Sequence, residues 1–63
     1  MKYYIHRDDP DSLLRVLPHG SAEIFEIGLE RWSNIGPIGK ITLDTYYVEL
    51  SKQEVVKRIL KYG

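Results

Sequence analysis

A chain of 63 residues that holds nine Lys and Arg against nine Asp and Glu has the size of one domain and no net charge. The lack of Cys excludes disulfides and thiolate metal sites, and zero formal charge argues against nucleic acid as the default partner. Uncharged apolar runs are far shorter than the roughly 20 residues that span a bilayer, and the first residues lack the apolar core of a signal peptide, so we expect a cytoplasmic protein without a membrane partner.

The first half of the chain predicts three strands. Residues 2–7 are aromatic and β-branched, and they end at a cluster of turn formers in residues 8–12. Two further apolar runs, residues 13–17 and 22–27, flank a short turn-forming segment. Gly20 in this segment can supply the positive φ that a tight hairpin needs.

The hairpin register decides which side chains share a face of the sheet. A two-residue turn at positions 19–20 pairs Leu17 with Ala22 and Leu14 with Phe25. Alternation then gives two apolar faces, with Leu14, Val16, Phe25 and Ile27 on one and Leu13, Leu17, Ala22 and Ile24 on the other. A sheet with one solvent-exposed face would show a stricter alternation of apolar and polar residues. We therefore expect the second face to be covered by the later part of the chain or by another subunit.

Residues 22–35 also fit a helix. An apolar stripe at helical spacing lies opposite polar side chains, and it consists of Phe25, Leu29, Trp32 and Ile35. Gly28 in the middle of that helix would cost about 1 kcal/mol relative to Ala. We therefore favour a strand for residues 22–27.

The second half predicts an ordered connection, a strand and a helix. Residues 28–43 hold three Gly and one Pro among spread apolar side chains, which is typical of a connection that covers a core. Apolar residues lie at odd positions at Ile41 and Leu43 but at even positions from Tyr46 onward. This change at residues 44–45 indicates a turn or bulge before a strand at residues 46–50. Ser51 and Glu54 form a capping box for a terminal helix. Its apolar stripe consists of Val55, Val56, Ile59 and Leu60.

Together these elements predict an α+β fold in a single domain, residues 1–63. An antiparallel β-meander of about three to four strands packs with a C-terminal α-helix. The order of segments, from Leu-Arg-Val through Pro-His-Gly-Ser-Ala-Glu-Ile-Phe-Glu and Trp32 to Tyr-Tyr-Val-Glu-Leu-Ser-Lys-Gln-Glu54, resembles small uncharacterised bacterial and phage proteins of this architecture. The resemblance implies the fold and a bacterial or mobile-element setting, and it carries no activity.

Fragments that look like catalytic or ligand sites fit structural roles better. Residues 36–42 are similar to the end of a phosphate-binding loop, but Asn34 and Ile41 stand where that motif requires Gly and a hydroxyl residue. His6 lies near three aspartates that could share a divalent cation, although an acidic turn is ordinarily solvated. No serine lies in a nucleophile motif. We expect a protein that is not an enzyme, with no catalytic residue, metal, cofactor or small-molecule substrate.

Aromatic side chains supply the first candidate binding residues. Alternation turns one ring of each tyrosine pair away from the core, which offers Tyr4, Tyr46 and Tyr47 as a stacking surface. Trp32 is either the centre of the core or an interface anchor, and we favour the core.

Basic side chains of the terminal helix supply the others. Lys57 and Lys61 lie opposite the apolar stripe, where they could contact an acidic protein surface or phosphates. Cations in the last turn also stabilise a helix. Because apolar positions exceed what one thin core needs, we expect a small protein–protein interaction module whose partner is another protein or a second copy in a homodimer. The alternative is single-stranded nucleic-acid binding through the tyrosines and basic residues.

Overall fold

The computed structural model describes residues 1–26 and 28–62 and, of the last two, only the backbone. In this part of the chain the elements are β1 (Lys2–His6), β2 (Asp9–Val16), β3 (Ser21–Glu26), β4 (Arg31–Pro37), α1 (Lys40–Tyr46), β5 (Tyr47–Leu50) and α2 (Lys52–Tyr62). The strands form one antiparallel sheet in the order β4-β3-β2-β1-β5. Neither described helix has the length and apolar character needed to cross a membrane.

The α+β class is confirmed, but the predicted strand number and the single C-terminal helix are wrong. The additional strand, β4, lies within the segment predicted as a connection. It pairs Gly36 with Ala22 but Asn34 with Glu23, which leaves Ile35 between the pairs as a bulge. The bulge breaks the two-residue alternation, and so periodicity did not detect the strand. With β3 and β4 in place, the helical interpretation of residues 22–35 is also wrong.

The additional helix, α1, replaces the end of the predicted connection, the turn or bulge expected at residues 44–45 and the first residue of the predicted final strand. Its Ile41 and Leu43 lie two residues apart, as they would in a strand. None of its residues is buried, so it has no apolar stripe that periodicity could detect. The final strand accordingly begins at Tyr47, one residue later than predicted.

The hairpin of β2 and β3 differs from the predicted register by one residue. Leu14 lies opposite Ile24 and Val16 opposite Ala22, whereas the prediction paired Leu14 with Phe25. A one-residue slip moves the side chains of a strand to the other face. Ile27, which the sequence assigned to one of these faces, lies outside the described residues.

A three-residue loop accounts for this register. The N–H of Leu17 donates to the carbonyl of Ser21 at 2.8 Å, and the N–H of Gly20 donates to the carbonyl of Leu17 at 2.9 Å. Gly20 has a φ of 99°, so its predicted left-handed conformation is confirmed. The prediction had placed it in a two-residue turn, and a loop with one more residue shifts the pairing.

The connection between β1 and β2 is shorter than predicted, because β2 begins at Asp9. The N–H of Asp8 donates to Nδ1 of His6 at 3.1 Å. The N–H of Asp11 donates to Oδ1 of Asp9, also at 3.1 Å. These side chains make turn-type hydrogen bonds, as their cluster indicates, yet strand pairing continues past them.

The central strand β2 is buried on both faces of the sheet. Leu13 and Leu14 are consecutive and therefore point to opposite faces, and they are 1% and 0% exposed. The face of Leu13, here called the helix face, packs against α2. Its core is Leu13, Phe25 and Val55, with Tyr3, Trp32, Leu50 and Ile59 packed against it. Leu14 and Ala22 lie on the other face, here called the opposite face, and are buried within one chain, so these positions need no second subunit.

Candidate interaction surfaces

The helix α2 begins at its predicted cap. Oγ of Ser51 accepts a hydrogen bond from the N–H of Glu54 at 3.2 Å. One turn in, Val55 is 3% exposed in the core, and Ile59 packs half-buried against the same cluster. The cap and these two side chains fix which side of α2 meets the sheet.

The outer half of the predicted apolar stripe is exposed. Val56 is 47% exposed and Leu60 is 73% exposed. The prediction of one continuous core stripe is therefore wrong for these two residues. A helix that lies on a sheet buries one side, and Val56 and Leu60 are rotated away from the buried row of Val55 and Ile59.

The exposed side of α2 combines these apolar side chains with lysines. We call it the α2 outer surface, and it consists of Lys52, Gln53, Val56, Lys57 and Leu60. Lys52, Val56 and Leu60 are spaced four residues apart and form one row along the helix. An open depression of about 420 Å³ lies here, lined by Lys52, Gln53, Val56 and Lys57.

Cations predominate among the described side chains of α2. Lys52, Lys57 and Arg58 stand against the carboxylate of Glu54. Arg58 is half-buried, and its Nη1 donates to the carbonyl of Pro10 at 3.4 Å, which ties α2 to β2. Lys61, the other basic candidate, has a side chain that lies outside the described part of the structure.

Trp32 is half-buried and packs against the core cluster from its side, whereas the sequence favoured a place in the core itself. Its ring meets that of Phe25 edge-on at 5.3 Å and lies 6.2 Å from that of Tyr3. The guanidinium of Arg15 sits 4.2 Å above the Trp32 ring and pairs with the carboxylate of Glu23 at 2.6 Å. Packing on three sides makes Trp32 part of the scaffold on the helix face.

Two of the three candidate tyrosines meet around a histidine. Tyr46 stacks on His6 with ring centres 6.1 Å apart and planes 17° apart, and Tyr47 meets His6 edge-on at 5.1 Å. Tyr46 is 51% exposed. Tyr4 lies two residues before His6 in β1, on the same face of the sheet, and is paired with Glu49 of β5.

The aromatic cluster is separate from the cations of α2. His6 and Tyr4 project from the opposite face, whereas α2 packs on the helix face, which also holds Trp32. Tyr4 instead borders a cleft of about 290 Å³ with Lys2, Val16 and three further residues. Sequence reasoning missed His6 as a ring partner, although its two-residue spacing from Tyr4 indicates that they share a face.

The carboxylate of Glu26 is more acidic than usual because of its hydrogen bonds. The hydroxyl of Ser33 donates to Oε2 of Glu26 at 2.7 Å, and Nε of Arg31 donates to the same oxygen at 3.0 Å. The hydrogen bonds from Ser33 and then from Arg31 lower the pKa of Glu26 below its ordinary value. Desolvation opposes them, and the charge of Arg31 makes the smallest contribution, which again lowers the pKa. This cluster couples β3 to β4.

Neither a group of metal-binding side chains among the described residues nor a known relative indicates what these surfaces bind. Among the described residues, no three His, Asp or Glu side chains are grouped so that they could hold a metal ion. No family model, curated protein or solved structure matches the chain. Function therefore has to be inferred from the surfaces themselves.

Proposed function

We propose that this chain is a small protein–protein interaction module that binds an acidic amphipathic segment of another protein on the α2 outer surface. The observation that carries the proposal is the exposure of Val56 and Leu60 beside Lys52 and Lys57. A helix whose only role was to cover the sheet would ordinarily carry polar residues at positions 56 and 60, because these positions lie outside its buried side.

The apolar part of the surface suits a helix or an extended segment with matching side chains. Single exposed apolar residues are common on small proteins. Val56 and Leu60 are different because they are neighbours one helical turn apart, and Val56 lines the depression. Amphipathic partners dock with apolar anchors at this spacing.

The charge of the surface selects an acidic partner. Lys52 and Lys57 flank Val56, so carboxylates on the partner would meet a cation on each side of the apolar contact. Two copies of the chain joined through this surface would instead place lysines against lysines. Charge complementarity therefore favours a different protein here.

Strand addition is the weaker route to a partner, since both edges of the sheet are protected. β4 carries the bulge at Ile35 and ends at Pro37, and β5 has only four residues. Bulges, prolines and short edge strands are features that discourage pairing with another chain.

Single-stranded nucleic-acid binding remains the second candidate function. The stacked rings of Tyr46 and His6 support it, because bases stack on exposed aromatic side chains. The lysines of α2 lie on the other side of the sheet from these rings, and Glu49 lies beside them across from Tyr4. The cations near the rings are Lys2 at the Tyr4 cleft and Arg7, whose guanidinium is held on the carbonyl of Asp44, and a groove that tracks a phosphate backbone would need more of them.

The test is calorimetric titration with a helical peptide that carries Leu at four-residue spacing and Glu at its other surface positions. We expect binding that weakens when the salt concentration rises from about 0.01 M, where the Debye length is roughly 30 Å, to about 0.15 M, where it is roughly 8 Å. Val56→Ser should weaken binding by about fivefold, and Lys57→Glu by more.

Two matched controls locate the effect. Leu29→Ser removes an apolar side chain that is 61% exposed elsewhere and should leave the affinity unchanged. A peptide with Gln in place of Glu should bind more weakly than the acidic one. Absence of binding, or equal loss in Val56→Ser and Leu29→Ser, would overturn the proposal. Salt-sensitive binding of an oligothymidylate that Tyr46→Ala abolishes would favour the nucleic-acid function instead.

A further inference from the structure

The short helix α1 lacks the local features that stabilise helices. It has seven residues, its N-cap Gly39 offers no side-chain hydrogen bond, and none of its residues is buried. Isolated helices of this length are not stable in water. Its persistence in the fold must come from contacts elsewhere.

The charges of α1 are also reversed relative to its dipole. Lys40 lies in the first turn and Asp44 in the last, while the first turn has no acid and the last turn has no base. Acids stabilise the N-terminus of a helix and bases the C-terminus, so each charge is unfavourable where it stands. Such violations of local preference are expected where residues serve an interaction.

The inner side of α1 is held to the sheet. Nη2 of Arg7 donates to the carbonyl of Asp44 at 3.1 Å, and the N–H of Arg7 donates to the carbonyl of Tyr46 at 2.9 Å. Tyr46 stacks on His6, and Leu43 is half-buried. These contacts fix the orientation of α1 and leave its other side in solvent.

The outer side of α1 has an apolar centre between opposite charges. It consists of Lys40, Ile41, Asp44 and Thr45, all of which are exposed. Ile41 is 83% exposed, more than any other large apolar side chain among the described residues. We call these four residues the α1 outer face.

We infer that the α1 outer face binds the same face of a second copy, with the two helices antiparallel around a two-fold axis. In this arrangement Lys40 of each copy meets Asp44 of the other, and Ile41 of each copy is covered. Lys40 then lies at the C-terminal end of the other helix and Asp44 at its N-terminal end. Each charge then stabilises the dipole of the partner helix, and the two-fold axis forms the Lys40–Asp44 pair twice.

The contact is weak because it is small. One short helix per copy buries less than the roughly 1,000 Å² that a stable interface needs, so we expect a dissociation constant of about 10⁻⁴ M. The α1 outer face shares no residue with the α2 outer surface, and this inference does not rest on the proposed function.

Sedimentation equilibrium at concentrations up to about 1 mM tests the inference through charge exchange. K40E and D44K should each be monomeric, because like charges then face each other across the axis. An equimolar mixture of the two should form a heterodimer, and the double variant K40E/D44K should dimerise like the parent. Both single variants should stay folded by circular dichroism, since each removes a charge that opposes the helix dipole.

Substitutions of apolar residues complete the test. Ile41→Ser should raise the dissociation constant by at least about tenfold, whereas the control Leu29→Ser should leave it unchanged. A parent protein that is monomeric at the highest concentration would overturn the inference. Single charge variants that dimerise like the parent would also overturn it. So would an equimolar mixture of the two variants that forms no more dimer than either variant alone.

Discussion

Replacing two adjacent valines of α2 by alanine tests how this helix meets the sheet. Val55 is 3% exposed and belongs to the core with Leu13 and Phe25, whereas Val56 is 47% exposed. The two substitutions are chemically identical and lie in the same turn of the same helix. Any difference in their effect therefore reports burial alone.

The expected difference follows from the carbon atoms removed from the core. Val55→Ala deletes two buried groups at about 0.8 kcal/mol each and leaves a small cavity, while the higher helix propensity of Ala returns up to about 0.7 kcal/mol, so the net loss in unfolding free energy is about 2 kcal/mol. A domain of this length has roughly 3–5 kcal/mol in total. Val56→Ala removes a side chain that is half in water, and the higher helix propensity of Ala offsets the loss by up to about 0.7 kcal/mol.

Thermal unfolding followed by circular dichroism measures both variants. Since about 1 kcal/mol corresponds to roughly 4–8 °C in a small domain, Val55→Ala should lower Tm by about 8–16 °C. Val56→Ala should leave Tm within about 3 °C of the parent. Equal Tm values, or a larger loss for Val56→Ala, would mean that α2 is rotated and that its outer surface is misassigned.

Three further substitutions address the cap, the surface charge and the acid response. Ser51→Ala removes the acceptor of the Glu54 N–H and should cost about 1 kcal/mol in a urea melt; no loss would contradict the cap. Lys57→Ala should change the unfolding free energy by less than about 0.5 kcal/mol while weakening the acidic peptide. Because the pKa of Glu26 is lowered in the fold, its carboxylate stabilises the protein above the ordinary value of 4.5, and this contribution is lost as pH falls through the folded pKa. The stability gap between the parent and Glu26→Gln, measured in urea melts, should therefore close as pH falls below 4.5, and a gap independent of pH would contradict the role of Ser33 and Arg31.

The elements that the sequence predicted well are those set by local chemistry. Ser51 marks the start of α2 by accepting the N–H of Glu54, which is one half of the predicted capping box, because a cap needs only groups within one turn. Gly20 takes its left-handed conformation for the same kind of reason, since no other residue type adopts a φ of 99° as easily. Lys2–His6 forms a strand from its aromatic and β-branched composition.

The elements that it did not predict depend on contacts between distant segments. The hairpin register is set by one additional loop residue, which composition does not reveal. The bulge at Ile35 hides β4, because the alternation of buried side chains shifts at that residue. α1 has no buried residue, and its contacts come from Arg7 and His6, more than thirty positions earlier in the chain.

The candidate surfaces differ from the expectation in how their residues are placed. The sequence put Tyr46 in a strand, where alternation would expose one ring of the tyrosine pair, but Tyr46 ends α1, stacks on His6 and lies away from the basic residues of α2. Val56 and Leu60 were assigned to the core, because a four-residue apolar stripe does not show which of its rows the sheet covers. Only the packing of Val55 against Leu13 decides that question.

Paramagnetic relaxation from a spin-labelled acidic peptide tests the central proposal most directly, since it locates the bound peptide on the surface. With a nitroxide on the peptide and the protein labelled with ¹⁵N, we predict strong broadening of the amide signals of Val56, Lys57 and Leu60. The amides of His6 and Tyr46, around the aromatic cluster on the opposite face of the sheet, should be broadened least, because they lie farther from the label. Broadening centred on His6 and Tyr46, or spread evenly over the protein, would contradict the assignment of α2 as the docking surface.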